Sequence, residues 1–564
     1  MEKNWKIKAT NNKIVQELSE SLGVSRTIAN LLVFRGITTY DEAKYFFRPD
    51  FSHLHKPFLM KDMEKAVNRI QKAIRNNEKI MVYGDYDVDG TTSVAMMYTF
   101  LLTITNNIEF YIPCRYKEGY GISLQGIDYA QDNNCSLIIS LDCGIRAVQQ
   151  IDYAREKRID FIICDHHNPG EEIPNAVAVL NPKQSDCNYP FKELSGCGVG
   201  FKLIQGYCEK NQISLKEIIH LLDFLVISIA ADVVPMIDEN RVFAFFGLKQ
   251  INLIPRAGIK ALMDSVGRKG KWTIPDIVFG IAPRINAAGR LVHGKIAVEL
   301  LIEGNFEKAK VTAEKIEKIN FERRSIDQSI TKEALKMIDE NKNSTVVFSE
   351  NWHKGVVGIA ASRLIETHYK PTIVLAEKDG ELTGSARSVK NFDLYNTLLQ
   401  CEKYLEKFGG HMYAAGLTLK KENLEDFIIA FEKAVSSSIK EDQLTPEISI
   451  DMELELHDIN DKLFRIIQQF SPFGPKNRTP IFITKAVKDS GYGRVVGVEK
   501  SHLRLGITKK NSRISISSIG FGLAHHFNKT KDGQIFDICY SIDENFWNGK
   551  KNLQLKLRDI KVST

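Results

Sequence analysis

The spacing of apolar and polar positions changes character several times along this chain. Residues 1–60 are polar with helical spacing and turn aromatic towards their end, at Tyr45, Phe46, Phe47 and Phe51. From about 61 to 240 short apolar runs alternate with helical stretches. Helical periodicity over 63–76 precedes a strand at 80–83, and further strands are expected at 108–112, 137–141 and 161–164. Continuous Val/Ile/Leu strands separated by helices predict a mostly parallel sheet with helices on both faces. The run from Phe224 to Ala231 reads as one more strand of that kind. Residues 305–340 contain neither Pro nor Gly and repeat apolar positions at Ile316, Ile319, Ile326, Ile330 and Leu335. They predict one or two helices, up to about 50 Å long at 1.5 Å per residue, that connect two domains. A second α/β pattern fills 341–440, and EDQLTPE follows it as a linker. Beyond the linker Ile448, Ile450, Met452, Leu454 and Leu456 alternate with polar neighbours, as do Leu553, Leu555 and Leu557. Period-two alternation with Gly-rich turns predicts antiparallel strands and a small β barrel.

At 564 residues the chain is too long for one core. No stretch reaches the roughly 18–20 apolar residues of a membrane span, because the longest candidate, Leu221–Ile237, is broken by Asp223 and Asp232. The first residues lack an apolar signal region, so secretion is not expected. Nine cysteines with no C-x-x-C pair point to reduced thiols in a cytoplasm and away from a zinc site or a disulfide framework. Charge alters the picture more. The net +6 lies entirely in residues 446–564, with 19 Lys/Arg against 13 Asp/Glu, while the remaining 57 basic and 57 acidic residues cancel. A basic, β-rich final segment suits a polyanionic partner.

The chemistry gathers where apolar runs stop. KIMVYGDYDVDG sets Asp85, Asp87 and Asp89 at alternate positions, LIISLDCG ends in Asp142, FIICDHHNPG gives Asp165, His166 and His167, and FLVISIAADVVPM gives Asp232. Carboxylates beside Val/Ile runs are costly unless paired or bound to metal. Their recurrence at the same place in the element predicts one shared site at the carboxyl ends of the strands, where ligands of parallel sheets collect. Oxygen ligands with a histidine suit Mn²⁺ or Mg²⁺ better than zinc. An EF-hand reading of D-x-D-x-D-G fails, since the twelfth position counted from Asp85 is Met96. A Walker A reading fails because no Gly-Lys-Ser/Thr follows Gly84. The helix expected from Gly90-Thr91-Thr92 offers N–H groups to a phosphate, and metal-dependent phosphoester hydrolysis by a two-ion arrangement is the chemistry that follows. Asp89 and Asp165 are also good helix caps. GCGVGFK (196–202) reads as a helix-start turn, His525-His526 as surface residues, and Cys143 and Cys164 as core filling.

These residues resemble the DHH phosphoesterase superfamily, and within it the RecJ group of single-strand-specific DNA exonucleases. YGDYDVDG, LDCG, CDHH and AADVVPM occur in that group's order, as do RYKEGYG, PRINAAGR (283–290), NWHKGVVGIAASRL, TGSARS and GGHMYAAG, so the resemblance runs from about 45 to 564. It implies an α/β fold: a parallel-sheet DHH domain and a second α/β domain of DHHA1 type joined by a long helix, with a C-terminal OB-type β barrel. The corresponding ranges are an N-terminal helical segment (1–60), the DHH domain (61–300), the connector (301–340), the DHHA1-type domain (341–440) and the OB domain (446–564). The resemblance further implies two divalent ions, Mn²⁺ or Mg²⁺, held by Asp85, Asp87, Asp142, His166 and Asp232, with Asp87 or Asp142 bridging them. Asp89, Asp165 and His167 would orient ligands and water. Arg284, Asn286 and Arg290 would face the scissile strand, and His353, Arg387 and His411 would close over the nucleotide end. Arg115, Tyr116 and Tyr120 are candidates for stacking or phosphate contacts near the mouth of the site. Tyr492, Phe521 and Phe546 are candidate stacking platforms or barrel core. Implied with these are 5′-to-3′ hydrolysis of single-stranded DNA to mononucleotides in repair and recombination, a monomer, no membrane, and a helicase and a single-strand-binding protein as partners. The competing readings are an oligonucleotide or cyclic-dinucleotide phosphodiesterase of the same superfamily and a non-catalytic single-strand scaffold.

Overall fold

In the computed structural model, which describes residues 2–378, 380–547 and 550–563, the apolar runs of the first half assemble into a five-stranded, wholly parallel sheet. Across it lie Ile108–Tyr111, Lys79–Gly84, Cys135–Leu141, Asp160–Cys164 and Ala178–Leu180. Ile80, Val82, Leu137, Ile139 and Ile162 are fully buried because helices cover both faces. Within this sheet the strand that comes earliest in sequence, Lys79–Gly84, sits between the second and the third. Crossovers therefore leave Lys79–Gly84 and Cys135–Leu141 in opposite directions, which opens a crevice at their carboxyl ends. Asp85 follows one of these strands and Asp142 the other.

The expected strand ahead of Asp232 is a helix instead. Leu222–Ala231 is helical, buried nearly all round, and packs between helices Val88–Leu101 and Asp238–Leu253. An unbroken apolar run carries no period, so it fits a strand inside a sheet and a helix inside a core equally well. Asp232 thus caps a helix C-terminus.

Residues 306–335 form one helix, Phe306–Leu335, about 45 Å long at 1.5 Å per residue. It packs on Ala257–Val266 and Ala282–Leu291 of the first α/β unit and on Val357–His368 of the second. The second unit carries a mixed sheet in the order Lys407–His411, Ala414–Lys420, Glu381–Arg387, Thr372–Lys378 and Thr345–Ser349. After it, Phe482–Asp489, Phe536–Trp547, Lys550–Val562, Ile516–Gly520 and His502–Lys509 pair in turn, and the last pairs back onto the first. That closes a five-stranded barrel of the OB kind.

The N-terminal segment departs from its helical reading. Asn4–Ile7 is a strand, parallel to Glu447–Ile450. The helices after it, Asn12–Leu22 and Arg26–Val33, place Val15, Leu18, Ile28 and Leu31 in the same core as Leu456, Phe464, Phe482 and Leu505. The beginning and the end of the chain therefore share one hydrophobic core.

Candidate metal centre and nucleic-acid interface

The acids of the crevice are fixed by backbone N–H groups of their own domain. Asp85 accepts from the N–H of Tyr86 at 2.6 Å and of Gly121 at 3.1 Å. Asp87 caps helix Val88–Leu101 and accepts from Gly90 N–H at 2.9 Å, so that N–H serves the cap and not a phosphate. Asp89 accepts from Gly196 and Cys197 N–H, at 2.7 and 2.9 Å, and from the Ser228 hydroxyl at 2.7 Å, which locks the first turn of helix Gly196–Lys210 onto it. Asp142 is held in the left-handed region, φ 61°, with Gly196 directly behind it. A Cβ on Gly196 would stand 2.6 Å from the Asp142 Cβ, so only glycine permits this approach. Asp165 accepts four N–H bonds, from Ile145 (2.9 Å), His166 (2.7 Å), His167 (3.1 Å) and the His167 Nδ1 (2.7 Å).

Above these anchors the ligand-type atoms converge. His166 Nε2 lies 3.2 Å from Asp142 Oδ1, 3.6 Å from Asp232 Oδ2 and 3.8 Å from Asp89 Oδ2. Two triples, Asp142/His166/His167 and Asp89/His166/Asp232, bring their donor atoms within 4.8 Å of one another. Buried Asp142 Oδ1 and His166 Nε2 find no hydrogen-bond partner among the described residues. Burial and the charges of Asp89 and Asp87 push the Asp142 carboxyl well above the ordinary range. Burial and Asp87 do the same to Asp85, and burial and Asp89 raise Asp87. Asp232 keeps about a third of its side chain open (32%), yet burial and the charges of Asp89 and Asp87 push it up to about 8. Burial lowers His166, leaving the neutral ring a metal ligand requires. Against the opposing effect of burial, the short bond between Asp165 and His167 raises the imidazole to about 9 and holds the carboxyl at about 2. These carboxylates cannot all ionise without a cation among them, and Asp142 Oδ1 and His166 Nε2 face each other with no hydrogen-bond partner among the described residues. The residues fit a hard divalent ion such as Mn²⁺ or Mg²⁺.

The opposite wall is basic. Arg115 lies over the Tyr86 ring at 5.0 Å. The Tyr116 hydroxyl donates to the Arg290 carbonyl, and the exposed Tyr120 brings its hydroxyl to 3.4 Å from His167 Nε2. Arg290 reaches into the second unit, donating from Nη1 to Gly355 O at 2.9 Å. Burial and the nearby Arg115, Arg323 and Arg387 lower it to about 10. Asn286 is half-buried beside it, in a recess of about 240 Å³. Arg284, expected to face the strand, is turned inward: its Nε lies 2.5 Å from Glu317 and its Nη1 donates to Gly280 O at 2.7 Å. A buried guanidinium needs such partners, and the connecting helix supplies Glu317.

In the second unit, Arg387 donates to Ser385 Oγ at 2.7 Å and to Ser362 Oγ at 3.3 Å. His411 is exposed and stands across Ala414 from Arg387 in neighbouring strands, about 10 Å away along the sheet. His353 is half-buried, edge-on to Tyr116, with Nδ1 accepting from Gly355 N–H. Neither histidine joins the acid cluster. Sequence reading passed over Asn320, Arg323 and Asp327, which occupy the stripe of the connecting helix that also buries Ile316 and Ile330. Polar residues at core spacing were the available signal.

On the barrel, Tyr492, Phe521 and Phe546 are all exposed, which removes their alternative reading as core. His526, expected at the surface, is buried and lies 3.3 Å from Asp559. A cavity of about 920 Å³ between the barrel and the first strand is lined by Lys3, Lys8, Arg35, Lys390, Arg478 and Arg558, among others.

Three family models match the chain: DHH family, N-terminal domain, over residues 79–229; DHHA1 domain, over 326–437; and RecJ OB domain, over 450–559. The chain is 37% identical to the single-stranded-DNA-specific exonuclease RecJ of Bacillus subtilis, over 99% of its own length and 71% of the relative's. Its fold matches RecJ from Thermus thermophilus in complex with Mn²⁺, with a TM-score of 0.85, 24% identity and coverage of 99% of this chain and 79% of that one. An exonuclease RecJ bound to manganese matches with a TM-score of 0.60 at 28% identity, over 67% of this chain and 95% of that one.

Proposed function

The chain belongs to the RecJ family of single-stranded-DNA-specific exonucleases, and from that premise we propose that it removes nucleotides from a free end of single-stranded DNA by metal-dependent phosphodiester hydrolysis. One observation carries this reading: the unpartnered Asp142 Oδ1 and His166 Nε2 meet in an acidic crevice that faces a wall of guanidinium groups. Two divalent ions, Mn²⁺ or Mg²⁺, would be held by Asp85, Asp87, Asp142, His166 and Asp232. When bound, such ions supply Lewis acidity towards water and the phosphate oxygens. The chain does the rest. Asp89 and Asp165 are saturated with N–H donors and fix the geometry of the ligands above them. His167, oriented by the bond between its Nδ1 and Asp165, presents its Nε2 edge to the phosphate. Arg290 and Arg387 donate to phosphate oxygens from the opposite side, while Asn286, His353 and His411 complete that wall. Arg115, Tyr116 and Tyr120 offer cationic and aromatic surface to the incoming bases.

The barrel extends the same logic. Exposed Tyr492, Phe521 and Phe546 and the lysine- and arginine-lined cavity suit the bases and backbone of a longer strand. A cyclic-dinucleotide substrate would leave that surface without a use. The reading includes 5′-to-3′ polarity, mononucleotide products, a role in repair and recombination, a cytoplasmic monomer, and a helicase and a single-strand-binding protein as partners. Among the described residues no helix is long and apolar enough to cross a membrane. The test is digestion of single-stranded DNA labelled at either end, with Mn²⁺, Mg²⁺ or EDTA, beside a dinucleotide control. The proposal expects metal-dependent release of mononucleotides from the 5′ end of the long strand. Activity confined to the dinucleotide, or indifferent to EDTA, would overturn it.

A further inference from the structure

The buried stripe of helix Phe306–Leu335 is interrupted by three polar side chains that are only partly partnered. Asn320, Arg323 and Asp327 are 0%, 8% and 0% exposed, on the face that also buries Ile316, Ile330 and Ala334. Burying a guanidinium and a carboxylate is unfavourable unless each is fully partnered. Here they are not. Arg323 Nη2 donates to Asn320 Oδ1 at 2.8 Å, but Nη1 stays 3.9 Å from Asp327 Oδ2 and Nε has no hydrogen-bond partner among the described residues. Asp327 Oδ2 lies closer to Arg363 of the second unit, at 2.8 Å, so one carboxylate serves two guanidinium groups.

Arg323 lines the recess of about 240 Å³ together with Ala231, Asn286, Arg290 and Ile359. Ala231 directly precedes Asp232, so the recess adjoins the acid cluster, yet its own wall carries no carboxylate. Arg323 and Arg363 share the one carboxylate of Asp327, and Arg290 adds a further guanidinium to the recess, which leaves an excess of positive charge in a confined space. The ligand that answers it is an anion with several acceptor oxygens, and phosphate is the group that arginine forks match. The cleaved phosphate must lie against the cations of the acid cluster, so the recess takes another.

We propose that this recess is a subsite for a backbone phosphate adjoining the one that is cleaved, that Arg323 binds it, and that Asn320 and Asp327 are positioning residues that hold Arg323. The inference rests on the reading of single-stranded DNA as substrate. Asp327 ties the subsite to the second unit through Arg363, so the same contact sets how the two units meet around the strand.

The test uses the full-length protein in EDTA, with oligonucleotide affinity measured by fluorescence anisotropy. A single uncharged methylphosphonate linkage is moved step by step away from the strand end. Arg323→Gln should weaken the all-phosphate strand about tenfold, the usual scale for a charge-assisted hydrogen bond. At one linkage near the end, the methylphosphonate should cost the wild type about tenfold and Arg323→Gln less than twofold, while at other positions the two losses multiply. Asn320→Ala keeps the guanidinium and should give a smaller loss, about threefold, specific to the same linkage. Arg323→Lys should recover part of the affinity. Losses that multiply at every linkage in both variants would reduce Arg323 to a structural residue and overturn the subsite. A wild type that does not bind single strands at all would overturn the proposed function itself, a different outcome in the same assay.

Discussion

The two walls of the cleft are built in opposite ways. On the acidic wall each fixed carboxylate is anchored by the domain that carries it: Asp85 by Tyr86 and Gly121, Asp89 by Gly196 and Cys197, Asp165 by Ile145, His166 and His167. On the basic wall the decisive contacts cross between units. Arg290 donates to Gly355 O, and Asp327 of the connecting helix binds Arg363. The acidic wall is therefore complete within one domain, whereas the basic wall exists only while two units stay in register. Metal affinity should survive a disturbance of the seam between the units, and the handling of the strand should not.

The largest effect belongs to the acidic wall. Asp142→Ala and His166→Ala each remove one of the converging ligand-type atoms, and single-turnover cleavage should fall by about a hundredfold or more. Single-strand affinity measured in EDTA should stay within about twofold, since it comes from basic residues elsewhere. Near-normal turnover in either purified variant would dissolve the contrast between the walls.

A smaller effect is expected at the seam. A Cβ on Gly355 would meet the Tyr116 hydroxyl and stand 2.8 Å from Arg290 O. Gly355→Ala should displace both groups and slow end-directed cleavage by about tenfold, with Mn²⁺ affinity unchanged by calorimetry. A parallel loss of metal would mean that the acidic wall also depends on the seam.

The smallest effect is expected at the barrel. Tyr492→Ala and Phe546→Ala should each weaken binding of a long strand by roughly 1–3 kcal/mol if they stack on bases, while a short oligonucleotide is cut at the normal rate. Equal losses on short and long strands would assign these rings to the cleft. Deleting residues 446–564 would be a poor substitute, because Val15, Leu18, Ile28 and Leu31 would lose the core they share with the barrel.

How much was legible in the sequence follows the same division. Asp85, Asp142 and Asp165 could be located because continuous apolar strands end at them, and a parallel sheet gathers strand ends at one edge. The element before Asp232 was misread, since an apolar run without a period does not declare whether it is strand or helix. The basic wall was less accessible. Which way Arg284 points depends on Glu317, a partner on another element. Asn320, Arg323 and Asp327 were hidden because only the apolar members of their stripe were read. Strand Asn4–Ile7 is short and polar, and its partner Glu447–Ile450 lies far along the chain, so no local pattern announces it.

Whether the parallel-sheet domain alone holds metal, with the strand held at the seam, is decided by titrating Mn²⁺ calorimetrically into metal-free wild type, Asp142→Ala and Gly355→Ala. Two ions should bind the wild type and Gly355→Ala with equal affinity, and at least one site should be weakened about a hundredfold in Asp142→Ala. Two ions bound at wild-type affinity by Asp142→Ala, or a site lost in Gly355→Ala, would contradict that expectation.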